Sequence, residues 1–288
     1  MVLPNFLIVG AQKAGTTWLA KNLEKHPDVF MPAQEVDFFV RPNARQKNIV
    51  KDINWYQNFF KDVDGQAAIG EKSPSYLYLP EAHQKIHEAL PSVKLIAVLR
   101  DPVVRAISHA RHLMRLARFG GEISPLMSVD DVIFKSGMSQ NIISWGYYAE
   151  QLEPYFKRFD PSQMLVIINE EDIVKNSGKV LREVFEFLAV DPEFQCLDSD
   201  KVVHDGSLSR IGVLMGAVLP ESLMQKVAVK RAVRKFDRGM LGKQFNLSAK
   251  QETLEQLYGM YEQKNEKLFE LLGRRWSSWS MDASFPAG

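Results

Sequence analysis

The chain has 288 residues and a formal net charge of +1. That is length enough for one large α/β domain with a sizeable core, or for one domain plus an appendage, and too little net charge to draw the chain as a whole to nucleic acid or a membrane. One cysteine, Cys196, excludes an intrachain disulfide and fits a reducing compartment. The first apolar stretch is only a strand long and no basic segment precedes it, so it reads as neither a signal peptide nor a membrane anchor; cytoplasmic residence is the default expectation.

The first predicted strand, Phe6–Gly10, runs into Ala11-Gln12-Lys13-Ala14-Gly15-Thr16-Thr17-Trp18. Gly10 and Gly15 permit backbone angles that a Cβ resists and let the main chain approach an anion closely. A helix is predicted from near Thr16, with Trp18, Leu19 and Leu23 at helical spacing until His26-Pro27 stops it. Its first-turn N–H groups would face such an anion. Lys13 adds a mobile point charge, and Thr16 and Thr17 add hydroxyl donors. The same residues also describe an ordinary strand–turn–helix with glycines in the turn. In the nucleotide-binding Walker pattern, G-x-x-x-x-G-K-[ST], the lysine follows the second glycine. Here Thr16 takes that place and Lys13 lies two positions before Gly15.

Next, Gln34-Glu35-Val36-Asp37-Phe38-Phe39 sets a carboxylate before an aromatic pair, which taken alone describes a surface acid beside a buried Phe38. A strand over Ala67–Glu71 leads into Lys72-Ser73-Pro74-Ser75-Tyr76, and a helix is predicted from near Pro80. Lys72 adjoins Glu71 in sequence, but neighbours in a strand point to opposite faces. Val93–Leu99 is apolar enough for a buried parallel strand, and Arg100-Asp101-Pro102 follows at once. Asp101 is a good N-cap and Pro102 a good first helical residue. Arg100 then stands at the carboxyl end of a strand, where open α/β sheets bind ligands, and Ser108 follows about two helical turns later. A surface arginine beside a capped helix is the plainer alternative.

The segment 111–145 interrupts the alternation, and Ser128-Val129-Asp130-Asp131 within it is a capping signal for a short helix. Such an insertion can cover a cleft or pack on the core. A helix near Tyr147, a strand over Met164–Asn169 and a helix from near Lys179 complete the pattern, the last with Leu181, Val184, Phe185 and Leu188 on one side. Residues 212–288 read as a helical C-terminal part. Its basic stretch over 226–238 describes a packed helix with a solvated charged face more readily than one that binds an anionic glycan or rests on a membrane. The last helical pattern carries Leu254, Leu257, Tyr258, Tyr261, Leu268 and Leu272 before a Gly273 stop. The alternation, without repeats or linkers, predicts an α/β fold in a single domain over 1–288, its central parallel sheet flanked by helices on both faces.

Several of these stretches resemble one family. G-x-x-K-x-G-T-T resembles the 5′-phosphosulfate loop of sulfotransferases that use 3′-phosphoadenosine 5′-phosphosulfate. R-D-P-x-x-R-A-x-S resembles their 3′-phosphate-binding strand and helix. E-x-x-F-F at Glu35 and G-E-K-[ST]-P-x-Y at Gly70–Tyr76 resemble elements of the branch containing heparan sulfate N- and O-sulfotransferases and their bacterial relatives. The likeness covers most of residues 5–190. It implies a P-loop-containing nucleotide-binding fold, with Gln12, Lys13, Ala14, Gly15, Thr16, Thr17 and Trp18 on the 5′-phosphosulfate and Arg100 and Ser108 on the 3′-phosphate. It also implies Glu35 as catalytic base and Lys72 near the reaction centre. Arg210 resembles the cofactor-closing residue of the family only after a one-residue shift. The Golgi members have a C-terminal disulfide loop, which one cysteine cannot form.

The chemistry suits these residue types. Sulfuryl transfer, like phosphoryl transfer, is an in-line displacement that asks the protein mainly for positioning and charge. A cation near the leaving oxygen lowers the barrier, a role open to Lys13. A base must take the acceptor proton, and no histidine stands in the Lys72-Ser73-Pro74 element where cytosolic sulfotransferases carry one. No metal is required. His83 and His87 have the i, i+4 spacing of a metal pair but no third ligand in context; His109 and His112 either line an acceptor cleft or are structural. The expected partner is a small-molecule or glycan acceptor rather than nucleic acid, its identity, like the oligomeric state, unread in one sequence. The competing readings are an ATP-dependent P-loop kinase and a non-catalytic binding protein that keeps the nucleotide fold.

Overall fold

In the computed structural model, which describes residues 2–40, 52–117, 122–124, 126–196 and 248–284, five short runs pair into one sheet. They are β1 (Phe6–Gly10), β2 (Val29–Phe30), β3 (Ala68–Lys72), β4 (Lys94–Leu99) and β5 (Met164–Ile168). The order is β2-β3-β1-β4-β5, and every pairing is parallel. Parallel strands inside such a sheet are covered on both faces, and β1 accordingly buries all five of its residues. The strands predicted from sequence recur within a residue at each end. The two-residue β2, too short to show a period, was not among them.

Register brings the strand ends level. Ile8 pairs with Lys72 of β3 and with Ile96 of β4, and Leu99 pairs with Ile168 of β5. The chain leaves β1 for one side of the sheet and returns to its other side at β4, so the carboxyl ends of β1, β3, β4 and β5 surround a topological switch point, where ligands bind open α/β sheets.

Contacts divide the chain into two units. The first comprises 1–101, 147–203 and 264–279 and contains the sheet with α1 (Thr16–Leu23), α2 (Ile53–Gln57), α3 (Ala82–Ala89), α7 (Tyr148–Phe156) and α8 (Val174–Leu188). Its core is continuous from Phe6 through Leu95, Tyr155 and Phe185 to Trp276. The aromatics Tyr56 and Phe60 belong to that core at 0% and 1% exposure, with Trp55 and Phe59 packed against it. A π-helical turn, Asn169–Ile173, leads from β5 into α8. Asn176 breaks the helical geometry there and its side chain caps the amide of Lys179 at 3.0 Å, so the regular part of α8 starts close to the position that the sequence predicts.

The second unit comprises 102–146, 204–263 and 280–288. It contains α4 (Pro102–Leu116), α5 (Val129–Phe134) and α6 (Ser139–Ser144), while α9 (Gln251–Leu272) begins in it. Ser128 caps α5 by accepting from the Asp131 amide at 3.0 Å, as its pattern predicts. Arg105 is fully buried and donates to the Ile142 carbonyl. His109 is 2% exposed and stacks on Trp145 with ring centroids 4.9 Å apart, which makes it a packing residue of α4. Ser108 is half-buried on the same helix. Gly273, at φ 59°, ends α9.

Arg210, the basic stretch 226–238 and residues 118–121 and 125 of the 111–145 segment lie outside the described residues. Among the described residues, no helix is long and apolar enough to cross a membrane.

Candidate active site

The site is built at the carboxyl ends of four strands of the first unit. After β1 the chain turns through residues 11–15 into α1, whose N-cap is Gly15 at φ 112°. Gly15 offers no side chain to cap α1 and no acid lies in its first turn, an arrangement that favours an anion at the leading N–H groups. Two glycines make the turn possible. A Cβ on Gly10 would stand 2.5 Å from Leu77 Cβ, and one on Gly15 would stand 2.6 Å from Asn169 Nδ2. Lys13 itself occupies the left-handed region at φ 68°, a conformation that costs a residue with a Cβ about 1–2 kcal/mol and points to a shape imposed by the surroundings.

Those surroundings come from the neighbouring strands. Arg100, directly after β4, donates from Nη1 to the Lys13 carbonyl at 3.3 Å. Asn169, directly after β5, donates to the Ala14 carbonyl at 2.9 Å. Arg100 is steered in turn by Glu170, whose Oε1 lies 3.6 Å from its Nε, and its own carbonyl accepts from Tyr148 at 2.9 Å. Burial pushes the Glu170 carboxyl up, while the Trp279 indole N–H, 3.0 Å away, and the Arg100 charge pull it back. Asn169 and Glu170 went unassigned in the sequence reading. The signal that marks them is a polar pair placed at once after an apolar strand.

The end of β3 contributes a second cation. Lys72 Nζ lies 2.6 Å from Glu35 Oε1 and 3.4 Å from Thr17 Oγ1, so it touches both the helix start and the acid of the 34–39 segment. Its side chain is 17% exposed and that of Glu35 47%. The residue before it points the other way: Glu71 has no exposed surface. The alternation of a strand thus excludes Glu71 as the partner of Lys72, and the fold supplies Glu35 instead. A cleft of about 370 Å³ opens beside the pair, lined by Thr17, Lys21, Glu24, Met31, Glu35 and Lys72 among others.

Elsewhere, His83 accepts from Arg158 Nε at 3.1 Å and His87 packs against Phe159. No group of three metal-ligating side chains occurs among the described residues. The chemical capacity of the site is anion binding: a backbone cradle, flanked by Lys13, Arg100 and Lys72, with the partly exposed Glu35 carboxylate at its rim. The glycine-lined turn is a cradle that a Cβ would fill, as a nucleotide phosphate site requires.

The family model described as the sulfotransferase domain matches residues 3–209. The human heparan sulfate glucosamine 3-O-sulfotransferase 6 is 34% identical over 193 residues, which is 65% of this chain and 52% of that protein. The human bifunctional heparan sulfate N-deacetylase/N-sulfotransferase 3 is 29% identical over 209 residues, 67% of this chain and 23% of that protein. This chain thus spans about half the length of the first of these relatives and less of the second. A crystal structure of a sulfotransferase from Alicyclobacillus acidocaldarius matches with a TM-score of 0.69 at 25% identity, covering 97% of this chain and 99% of that one. The five-stranded parallel sheet with its helices is the P-loop-type nucleotide-binding fold that the sequence predicts. Since the domain model spans well over half of its length, the chain belongs to the sulfotransferase domain family.

Proposed function

We propose that this protein transfers the sulfuryl group of 3′-phosphoadenosine 5′-phosphosulfate to a hydroxyl or amine of a glycan or other small acceptor, with Glu35 as the base. The observation that carries the reading is the position of Lys72, whose ammonium touches Thr17 at the start of α1 and Glu35 at the cleft. One side chain thereby spans the anion cradle and the carboxylate, the two halves that an in-line transfer needs close together.

In this reading Gln12–Trp18 hold the 5′-phosphosulfate, with Lys13 offsetting charge on the leaving oxygen and Lys72 orienting the group in transit. Arg100 takes the 3′-phosphate. Its contact with the Lys13 carbonyl supports one carrier reaching both cations. Ser108 joins Arg100 by the sequence pattern alone. Glu35, partly exposed at the cleft, accepts the acceptor proton as the new S–O or S–N bond forms. The named activities of the heparan sulfate relatives support a glycan acceptor, and Met31 and Pro32 beside Lys21 give the cleft wall mixed character.

Isothermal titration with 3′,5′-adenosine bisphosphate against 5′-AMP tests the donor assignment. The bisphosphate is expected to bind at least tenfold more tightly, because an arginine–phosphate contact contributes about 1.5–3 kcal/mol. Equal binding of the two, or no binding of either, defeats it.

A further inference from the structure

Glu71 is fully buried, and the proposed chemistry leaves it without a task. Its carboxylate accepts from Tyr56 at 2.8 Å and Tyr76 at 2.7 Å on one oxygen, and from Ser73 at 3.2 Å on the other. A hydroxyl has one proton and two lone pairs. With their protons turned to Glu71, Tyr76 and Ser73 offer those lone pairs elsewhere. The Tyr76 oxygen accepts from the amide of Phe38 at 2.9 Å, and the Ser73 oxygen accepts from the amide of Asp37 at 3.0 Å. Both amides follow Glu35 within three residues. Asp37 is in the left-handed region at φ 52° and accepts from Ser75 at 2.6 Å, and Phe38 stacks on Tyr56 with ring centroids 4.2 Å apart. The segment that presents Glu35 thus rests on two hydroxyls whose direction a single buried acid sets.

We propose that Glu71 is a positioning residue: its carboxylate turns the Tyr76 and Ser73 hydroxyls so that they hold the backbone of Asp37 and Phe38, and thereby keeps Glu35 at Lys72. The proposal rests on the reading of Glu35 as base. The groups facing Glu71 are Tyr56 from α2, Tyr76 and Ser73 from the turn after β3, and the Asp37 charge from the held segment. Burial keeps both phenols protonated, so they serve only as neutral donors to the acid. Burial also pushes the Glu71 carboxyl up to about 7, against the pull of the three hydroxyls. Protonating it places a donor where two of the relay protons now point, and the relay loses its direction.

The test compares the full-length wild type with Glu71→Gln and Tyr76→Phe. It measures hydrogen exchange at the Asp37 and Phe38 amides, kcat, and binding of 3′,5′-adenosine bisphosphate. Expected are exchange at least tenfold faster at one or both amides in each variant, a tenfold or greater loss of kcat, and bisphosphate affinity within about twofold of wild type. Protection in the wild type, corrected for intrinsic exchange, is expected to weaken as pH falls through about 7, and in Glu71→Gln to be weak throughout; a residue that merely fills space gives no such profile. Unchanged protection in both variants overturns the proposal whatever the turnover does, and so does protection independent of pH in the wild type. Should Glu35→Gln retain near-normal turnover, the base reading fails while the exchange data still decide the relay.

Discussion

The turn between β1 and α1 and the segment 34–39 meet at Lys72, but they are made differently. The turn is a backbone object. Its shape depends on glycines at positions 10 and 15 that leave no room for a Cβ, on a lysine at φ 68°, and on carbonyls of Lys13 and Ala14 gripped by Arg100 and Asn169. The acid-bearing segment is a side-chain object, held through Ser73, Tyr76 and the Phe38–Tyr56 stack above a buried Glu71. A backbone cradle binds any phosphate-like group and tolerates little change of sequence. A side-chain platform places one carboxylate, Glu35, which in the proposed function is the proton acceptor, and through the proposed Glu71 relay it responds to the protonation of its support.

The largest expected effect falls on the platform. Glu35→Gln keeps the shape and removes the proton acceptor, so kcat should fall by about 10²–10⁴-fold, the usual range for general-base removal, with bisphosphate affinity unchanged. Steady-state kinetics with calorimetry read both, and near-normal turnover rejects the role.

The second effect is on stability against pH. The Glu71 carboxyl titrates at about 7 in the fold against an ordinary value of 4.5. Its native pKa is raised, so its contribution is fully present below pH 4.5 and is lost as pH rises to about 7. The shift corresponds to about 3 kcal/mol at roughly 1.4 kcal/mol per unit. Urea titrations across that window should show this decline in the wild type, and Glu71→Gln should flatten it. Equal slopes in the two proteins contradict a buried, titrating acid.

Two changes probe the cradle. Arg100→Ala should reduce the preference for 3′,5′-adenosine bisphosphate over 5′-AMP by roughly 10–100-fold, given about 1.5–3 kcal/mol for a charged hydrogen bond, while affinity for 5′-AMP stays nearly level. A preference that survives moves the 3′-phosphate elsewhere. Gly15→Ala should cost about 1–3 kcal/mol of stability, because it combines φ 112° with a 2.6 Å approach to Asn169. A melting point within a degree of wild type would show that the turn relaxes and that its shape is not set by glycine.

The same contrast explains what could be read from sequence. The cradle is local: a strand, two glycines, a lysine and a helix start within 18 residues, all with short-range signals. The Arg100-Asp101-Pro102 cap is equally local, and α4 begins at Pro102 as predicted. The platform is not local. Glu35 lies 37 residues from Lys72 and Asp37 lies 36 from Ser73, and nothing in periodicity announces which hydroxyl will meet which amide. Period-two alternation does show that Lys72 and Glu71 face apart, but not what each would face. Asn169 and Glu170 were hidden differently: the turn that presents them is a π-helical one, for which the helical period gives no cue. His109 was open between cleft and core, because burial on α4 depends on Trp145, an aromatic brought beside it only by the fold.

β3 carries an inward acid and an outward amine on consecutive residues. A single-residue shift that carried Lys72 into the place of Glu71 would bury an ammonium beneath two phenols and press the carboxylate, now at the Gly70 position, against the Phe6 ring. Insertions and deletions are therefore barred from this strand, however freely the cleft walls around Met31 and Pro32 change. Under the proposed function, changes in those walls would exchange one acceptor for another, while the Glu35 base and its support stay tied to the sheet.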